Sequence, residues 1–167
     1  MGKVCTFFGH RDCPVSAKSK LREVLVDLIE NHDVDMFYVG RQGAFDSMVR
    51  SVLKELVLTY PNIRYAVVLE RMPLRCDSFE EFDYSDTMLS EGIKTVHPRF
   101  AISWRNQWML RQSHYVVTYI TRSWGGAAQF AETARKQKKT VMNLADTSVF
   151  DKRKNRTPSK VSGTPAE

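Results

Sequence analysis

The sequence predicts an α/β fold, a three-layer sandwich in which a parallel sheet of about five strands carries helices on both faces. Three observations point there. Short apolar runs alternate with amphipathic segments of helix length, in the order β-α-β-α-β-loop-α-β-α-β. Runs such as "YAVVL" and "YVVTYI" are nearly continuous in apolar residues, as strands covered on both faces are. Glycine-containing turns follow the first, second and fourth of these runs, where a parallel sheet hands the chain to its next helix.

The first element is "KVCTFFG" (3–9), rich in strand formers and closed by a glycine. A helix over 16–31 follows, with Leu21, Val24, Leu25 and Leu28 at helical spacing and Pro14 or Ser16 placed to open it. "MFYVG" (36–40) is the second strand. The second helix, 45–60, gathers Met48, Val52, Leu53, Leu56 and Val57 on one face and stops at Pro61. "RYAVVLE" (64–70) reads as a buried third strand. Residues 71–97 show no clean period, and so long a loop in a compact domain is usually a lid or a binding loop. Pro98 starts a helix through Gln112, whose Ala101, Ile102, Trp104, Trp108 and Met109 supply apolar faces for packing on the sheet. "HYVVTYI" (114–120) is the fourth strand, 126–138 the last helix and "TVMNL" (140–144) the fifth strand. Beyond Ala145 the composition turns polar, so one domain is expected over 1–146 and a basic, disordered tail over 147–167.

The 167 residues suffice for one core, and no apolar run approaches the roughly 20 residues that span a bilayer. "MGKVCTFFGH" lacks the ordered regions of a signal peptide, which predicts a cytoplasmic protein without a membrane partner. Cys5, Cys13 and Cys76 are odd in number and match no metal spacing, so neither structural disulfides nor a metal site is expected. The formal charge of +6 divides evenly: from Asp151 onward five Lys/Arg face Asp151 and Glu167, leaving +3 on the body. A mildly basic body suits a small anionic ligand better than nucleic acid.

In this architecture ligands sit outside the carboxyl ends of the strands, which selects the loops to read. After the first strand, "GHRDCP" offers Gly9 for a tight turn, His10 as a ligand contact or proton donor, and Arg11 to fork onto a phosphate or carboxylate. His10 and Arg11 also suit exposed loop residues that cap neighbouring carbonyls. Cys13 stands before Pro14 at a helix start, where thiolates are stabilised, but without a base partner it reads as structural. After the second strand, Gly40, Gln42 and Gly43 lead into a helix N-terminus that favours anions. Asp46, in the first turn, either caps that helix or contacts ribose hydroxyls. Glu70 ends the third strand facing the same crevice or solvent. In the helix 98–112, Arg105, Asn106 and Gln107 form a polar run, and Arg105 taken alone is an exposed helix arginine. After the fourth strand, Gly125 and Gly126 let the backbone approach a ligand, with N–H groups near 126–129, including that of Ala127, pointing into the site. Gln129 can hydrogen-bond a base or hydroxyl, and Glu132 lies about one turn beyond it.

Taken together, "FFGHRDCP", "YVGRQGAFD", "RFAISWRNQWMLRQSHYVVTYI" and "GGAAQF" resemble the SLOG superfamily of Rossmann-like nucleotide-binding proteins, over roughly residues 3–145. That superfamily includes YpsA-type and DprA-type domains and the LOG phosphoribohydrolases, and small standalone YpsA-type proteins are the most similar. LOG enzymes carry P-G-G-x-G-T-x-x-E, against which "WGGAAQFAE" keeps Gly125, Gly126 and Glu132 but has Trp124, Ala128 and Gln129. Against the upstream R-K-x-M-x-x-x-x-S-D, the chain keeps Arg105 and Ser113 but has Asn106 for lysine and His114 for aspartate. The resemblance implies Arg105 and Glu132 as a catalytic pair for N-glycosidic cleavage, the arginine holding phosphate or developing charge and the glutamate an oxocarbenium-like centre or water.

The altered glycine loop bears on turnover more than on binding. The expected function is therefore to bind a nucleotide-derived ligand containing ribose phosphate, of the ADP-ribose or NAD-derived kind, as sensor or sink and without a cofactor. The alternative is an N-glycosidic hydrolase of nucleotides. Resemblance also implies a homo-oligomer. The DprA relationship and the basic tail motivate single-stranded nucleic acid as a third, weaker partner, against which most aromatics fall in strands and helix faces.

Overall fold

The computed structural model describes residues 2–71 and 87–146. Ten elements follow the predicted order: β1 (Lys3–Gly9), α1 (Lys18–Asn31), β2 (Val34–Val39), α2 (Gly43–Thr59), β3 (Arg64–Leu69), β4 (Thr87–Leu89), α3 (Ala101–Gln112), β5 (Tyr115–Tyr119), α4 (Gly126–Lys136) and β6 (Thr140–Asn143). The sheet order is β4-β3-β2-β1-β5-β6, and every neighbouring pair is parallel.

This is the predicted three-layer architecture, with six strands among the described residues where about five were expected. The extra strand, β4, is three residues at the sheet edge, inside the stretch expected to be a loop. A strand so short carries no alternation for the sequence to show. The expected lid over 71–97 and the disordered tail over 147–167 fall largely outside the described residues.

Right-handed crossovers decide which face each helix covers. The chain moves outward through β1, β2 and β3, so α1 and α2 pack on one face; the return to β5 and the step to β6 put α3 and α4 on the other. Strand residues follow the pleat. Cys5, Phe7 and Val117 point into the α1/α2 core, whereas Phe8 and Val116 point into the α3/α4 core. The α1/α2 core is the larger, with Leu21, Leu25, Phe37, Phe45 and Leu53 fully buried. On the other face, α4 turns Ala128, Ala131 and Ala134 inward, and these small residues let its backbone lie close to the sheet. The thiols of Cys5 and Cys13 are buried, and burial, with Asp12 nearby, pushes Cys13 up to about 11, consistent with a structural cysteine.

The strand order reverses between β1 and β5, which pair in register from Cys5–Tyr115 to Gly9–Tyr119. One further bond, His10 N–H to the Tyr119 carbonyl at 3.2 Å, ends the ladder before the two chains part. At the exit of β5, the Asn143 side chain accepts from Ile120 N–H (3.0 Å) and donates to its carbonyl (2.9 Å), fixing where residues 120–126 begin.

Gly9 is required by packing rather than by a turn angle, because a Cβ there would run into the Phe45 ring. Gly9→Ala is expected to destabilise the protein by about 1–3 kcal/mol, the cost of overpacking a filled core. Urea unfolding checks this: an unchanged midpoint would mean that Phe45 is free to move aside.

Candidate functional site

The crevice outside the β1/β5 switch point is a cleft of about 290 Å³. Its floor is the ends of β1 and α3, with Phe7, Phe8, Ile102 and Met109 as apolar wall; its polar groups are His10, Arg11, Gln42, Asp46, Arg105, Asn106 and Arg122. The first residues of α4, with Gly125, Gly126 and Ala127, close one side.

Arg105 is the most deeply placed of these, 3% exposed. It belongs to the buried stripe of α3, between Ala101 and Met109 at four-residue spacing, so the helix face that packs on the sheet carries a guanidinium. Its Nε and Nη2 donate to Asn106 Oδ1 (3.2 and 2.9 Å), and Nη1 donates to Glu70 Oε2 (3.4 Å). Glu70 also accepts from Arg41, with Nη2 at 3.0 Å from Oε1. Burial alone would raise the Glu70 pKa, but hydrogen bonds from Arg41 and its own backbone, with the charges of Arg41 and Arg105, outweigh it and hold the carboxyl low. Gly40 makes room for this cluster: a Cβ there would stand 2.8 Å from Asp46 Oδ2 and 3.1 Å from Arg105 Cζ.

Asp46 is buried, and its Oδ2 accepts from Gln42 N–H at 2.8 Å, so it caps α2 from within. Gly43, at φ +82°, brings the start of α2 against the β1 loop, where Ala44 N–H donates to the Arg11 carbonyl at 2.9 Å. That helix N-terminus, expected to receive an anion, thus spends two of its N–H groups inside the protein. Desolvation pushes Asp46 up to about 6, opposed by the Gln42 bond and the charges of Arg105, Arg50 and Arg11.

The N-terminus of α4 is different. Gly125 takes φ +99° and offers no side-chain cap, and the first N–H returned to the chain is that of Gln129, to the Gly125 carbonyl. The N–H groups of residues 126–128 precede the first helical bond, and Gly126 and Ala127 line the cleft. A Cβ added at Gly126 meets nothing within 4 Å. His10, 5% exposed, presents Nε2 without a hydrogen-bond partner among the described residues, and burial together with the Arg122 charge lowers its pKa against the opposing pull of Asp12. These surroundings favour the neutral imidazole.

Of the expected site residues, Gly9, His10, Arg11, Gln42, Asp46, Arg105, Asn106, Gly125, Gly126 and Ala127 come together in this cleft. Gly40 and Gly43 lie behind it as spacers. Gln129 lines a separate groove between α3 and α4. Glu132 is not brought to Arg105: it is exposed on α4 and pairs with Arg135 at 3.5 Å. Six residues of helix carry it about 9 Å along the axis from Gly126. Ser113 and His114 lie at the opposite, amino end of β5, where Ser113 Oγ donates to the Met109 carbonyl and His114 Nδ1 accepts from Val4 N–H. Arg41 and Arg122 are additions that sequence reasoning passed over; both lie within three residues of a strand end. Arg122 Nη1 is 3.4 Å from Asp12 Oδ2, and its guanidinium lies over the Trp124 ring at 4.4 Å.

No protein-family model matches the chain, and no curated protein matches it. Among solved structures it is similar to DNA processing protein A (DprA) from Streptococcus pneumoniae, at 14% identity and a TM-score of 0.63 over 93% of this chain. The fold is a DprA-like Rossmann fold. The likeness covers 57% of the DprA chain, so this chain spans little more than half of that protein. Among the described residues no group of His, Cys, Asp and Glu could hold a metal ion, and no helix is long and apolar enough to cross a membrane.

The Asp46 shift has a sign that can be measured. Its pKa rises from 3.8 to about 6 on folding, so the folded state holds the proton more tightly. Stability from this group is present below pH 4, is lost as pH rises toward 6 and is constant above. Two units correspond to on the order of 3 kcal/mol. Asp46→Asn should therefore melt with the wild type near pH 4 and above it at pH 7; a difference that does not vary with pH would contradict the assignment.

Proposed function

We propose that the chain is an SLOG-type binding module that holds a nucleotide-derived ligand containing ribose phosphate, of the ADP-ribose or NAD-derived class, as a sensor or sink. The observation that carries this is the cleft at the switch point, where an open helix N-terminus meets three arginines and an unpartnered buried imidazole. Helix N–H groups and guanidinium forks both suit phosphate. The neutral His10 offers a hydrogen bond without a further charge, which fits a ribose hydroxyl or a phosphate oxygen. Homo-oligomerisation is proposed on the SLOG resemblance.

N-glycosidic hydrolysis is the second reading, favoured by the buried guanidinium of Arg105 beside a carboxylate in the cleft. That carboxylate is Asp46, whereas Glu132 would have to reach the cleft from the flank of α4. DprA is named for DNA processing, so single-stranded DNA belongs among the compounds tested.

Isothermal titration and thermal shift with ADP-ribose, AMP, NAD and ribose 5-phosphate test the binding reading. Arg122→Ala should weaken binding about ten- to a hundredfold with little change in melting temperature. Gly126→Ala separates fold from function: the methyl meets nothing and alanine favours helix, so the apoprotein should be equally or more stable, by up to about 1 kcal/mol, while affinity falls. Free base released from NAD or AMP, lost in Asp46→Asn or Glu132→Gln, would establish hydrolysis. Tight binding of oligonucleotide alone, with a steep salt dependence, would overturn the small-ligand reading.

A further inference from the structure

Trp124 is 68% exposed. Single exposed apolar side chains are ordinary, so exposure alone decides nothing. Its place and its support do. Trp124 stands outside the cleft lining itself but immediately precedes Gly125 and Gly126, which belong to it, so its ring is at the rim. The guanidinium of Arg122 lies 4.4 Å from its ring centroid, and Arg122 is itself tied to Asp12 on the β1 loop. The indole is thus backed on one face by a cation that lines the cleft, while its exposure leaves the opposite face to solvent. Across the cleft, Ile102 in the first turn of α3 is 42% exposed and contributes an apolar wall.

We infer that Trp124 is the nucleobase-stacking residue of the cleft, so the ligand it selects is a nucleotide with its base attached rather than a bare sugar phosphate. The inference rests on the binding reading above. From Trp124 to the N–H groups at Gly126, two residues span at most about 7 Å, the scale of the sugar that separates a 5′-phosphate from its base. A phosphate at the start of α4 therefore brings the base to the indole. Aromatic stacking tolerates any base, so the residue confers preference for a base and little choice among bases. The Arg122 cation on the far face holds the ring in place and adds a cation–π contact.

The test compares AMP with ribose 5-phosphate by titration calorimetry on the wild type, Trp124→Phe and Trp124→Ala. Stacking predicts that the wild type prefers AMP by on the order of ten- to a hundredfold. Trp124→Phe should keep most of that preference, and Trp124→Ala should abolish it while leaving ribose 5-phosphate affinity and melting temperature unchanged. AMP should quench tryptophan fluorescence in the wild type and much less in Trp124→Phe, where Trp104 and Trp108 remain. If both compounds bind and Trp124→Ala leaves the preference intact, or there is none, stacking is overturned while the cleft reading stands. Failure of both compounds to bind would overturn the stacking proposal, and failure of ADP-ribose and NAD as well would overturn the cleft reading with it. An oligo-dT that binds through Trp124 where AMP does not would make a nucleic-acid strand the occupant and overturn the proposal.

Discussion

A guanidinium buried to 3% exposure at the carboxyl edge of the sheet constrains everything around it. Arg105 cannot be left uncompensated there, because removing one partner of a buried ion pair costs about 3–5 kcal/mol. Its compensation comes from separate parts of the chain, Asn106 beside it on α3 and Glu70 at the end of β3, while Asp46 on α2 adds an attraction that its own desolvation exceeds. Arg41, just after β2, then shares Glu70. Gly40 is the space in which the two chain regions meet. A buried ion pair is weak evidence for net stability. Its consequence here is positional: the loops after β2 and β3 and the middle of α3 are set relative to one another, and the cleft takes its floor from them.

The two faces of the sheet divide the work. The α1/α2 side supplies the large core, with branched aliphatic and phenylalanine side chains filling it. The α3/α4 side has a smaller buried cluster and carries the cleft. Close approach of α4 through three alanines aims its N-terminus at the switch point. The same approach leaves Glu132 exposed on the flank of α4, about 100° round the helix from Ala131 at the centre of the buried face.

Most of the fold was legible because its strands are continuous apolar runs and its helices keep strict spacing. β4 was not, since three residues at an edge need only pair with β3 and carry no pattern. Arg105 read alone as exposed, although Ala101 and Met109 four residues to either side mark its stripe as buried; its charge masked its position. For Glu132 the motif register placed it with Arg105, while the helix period separates the two. Gly125 and Gly126 were legible for a physical reason, as glycines at a strand-to-helix turn with no internal packing role. Arg41 and Arg122 carry no local signal, because the carboxylates that hold them, Glu70 and Asp12, belong to other strand ends far away in sequence.

The cleft's three arginines are not equivalent. Three of the five N–H groups of the Arg105 guanidinium donate to Asn106 or Glu70 and the side chain is 3% exposed, so it acts chiefly as fixed positive charge beneath a ligand. Arg11 and Arg122 hold their partners at 3.3–3.5 Å, longer than the roughly 2.7–2.9 Å of a strong charge-assisted bond. Both are tied to side chains of the neighbouring loops, Gln42 and Asp12, which a phosphate can outcompete at small cost. Ligand contact therefore falls to Arg11, Arg122 and the α4 N–H groups, with His10 between them. Arg105 and Asp46 form the base on which that contact is built, and this is why a carboxylate lies in a cleft otherwise shaped for an anion: it balances the arginine below, not the ligand above.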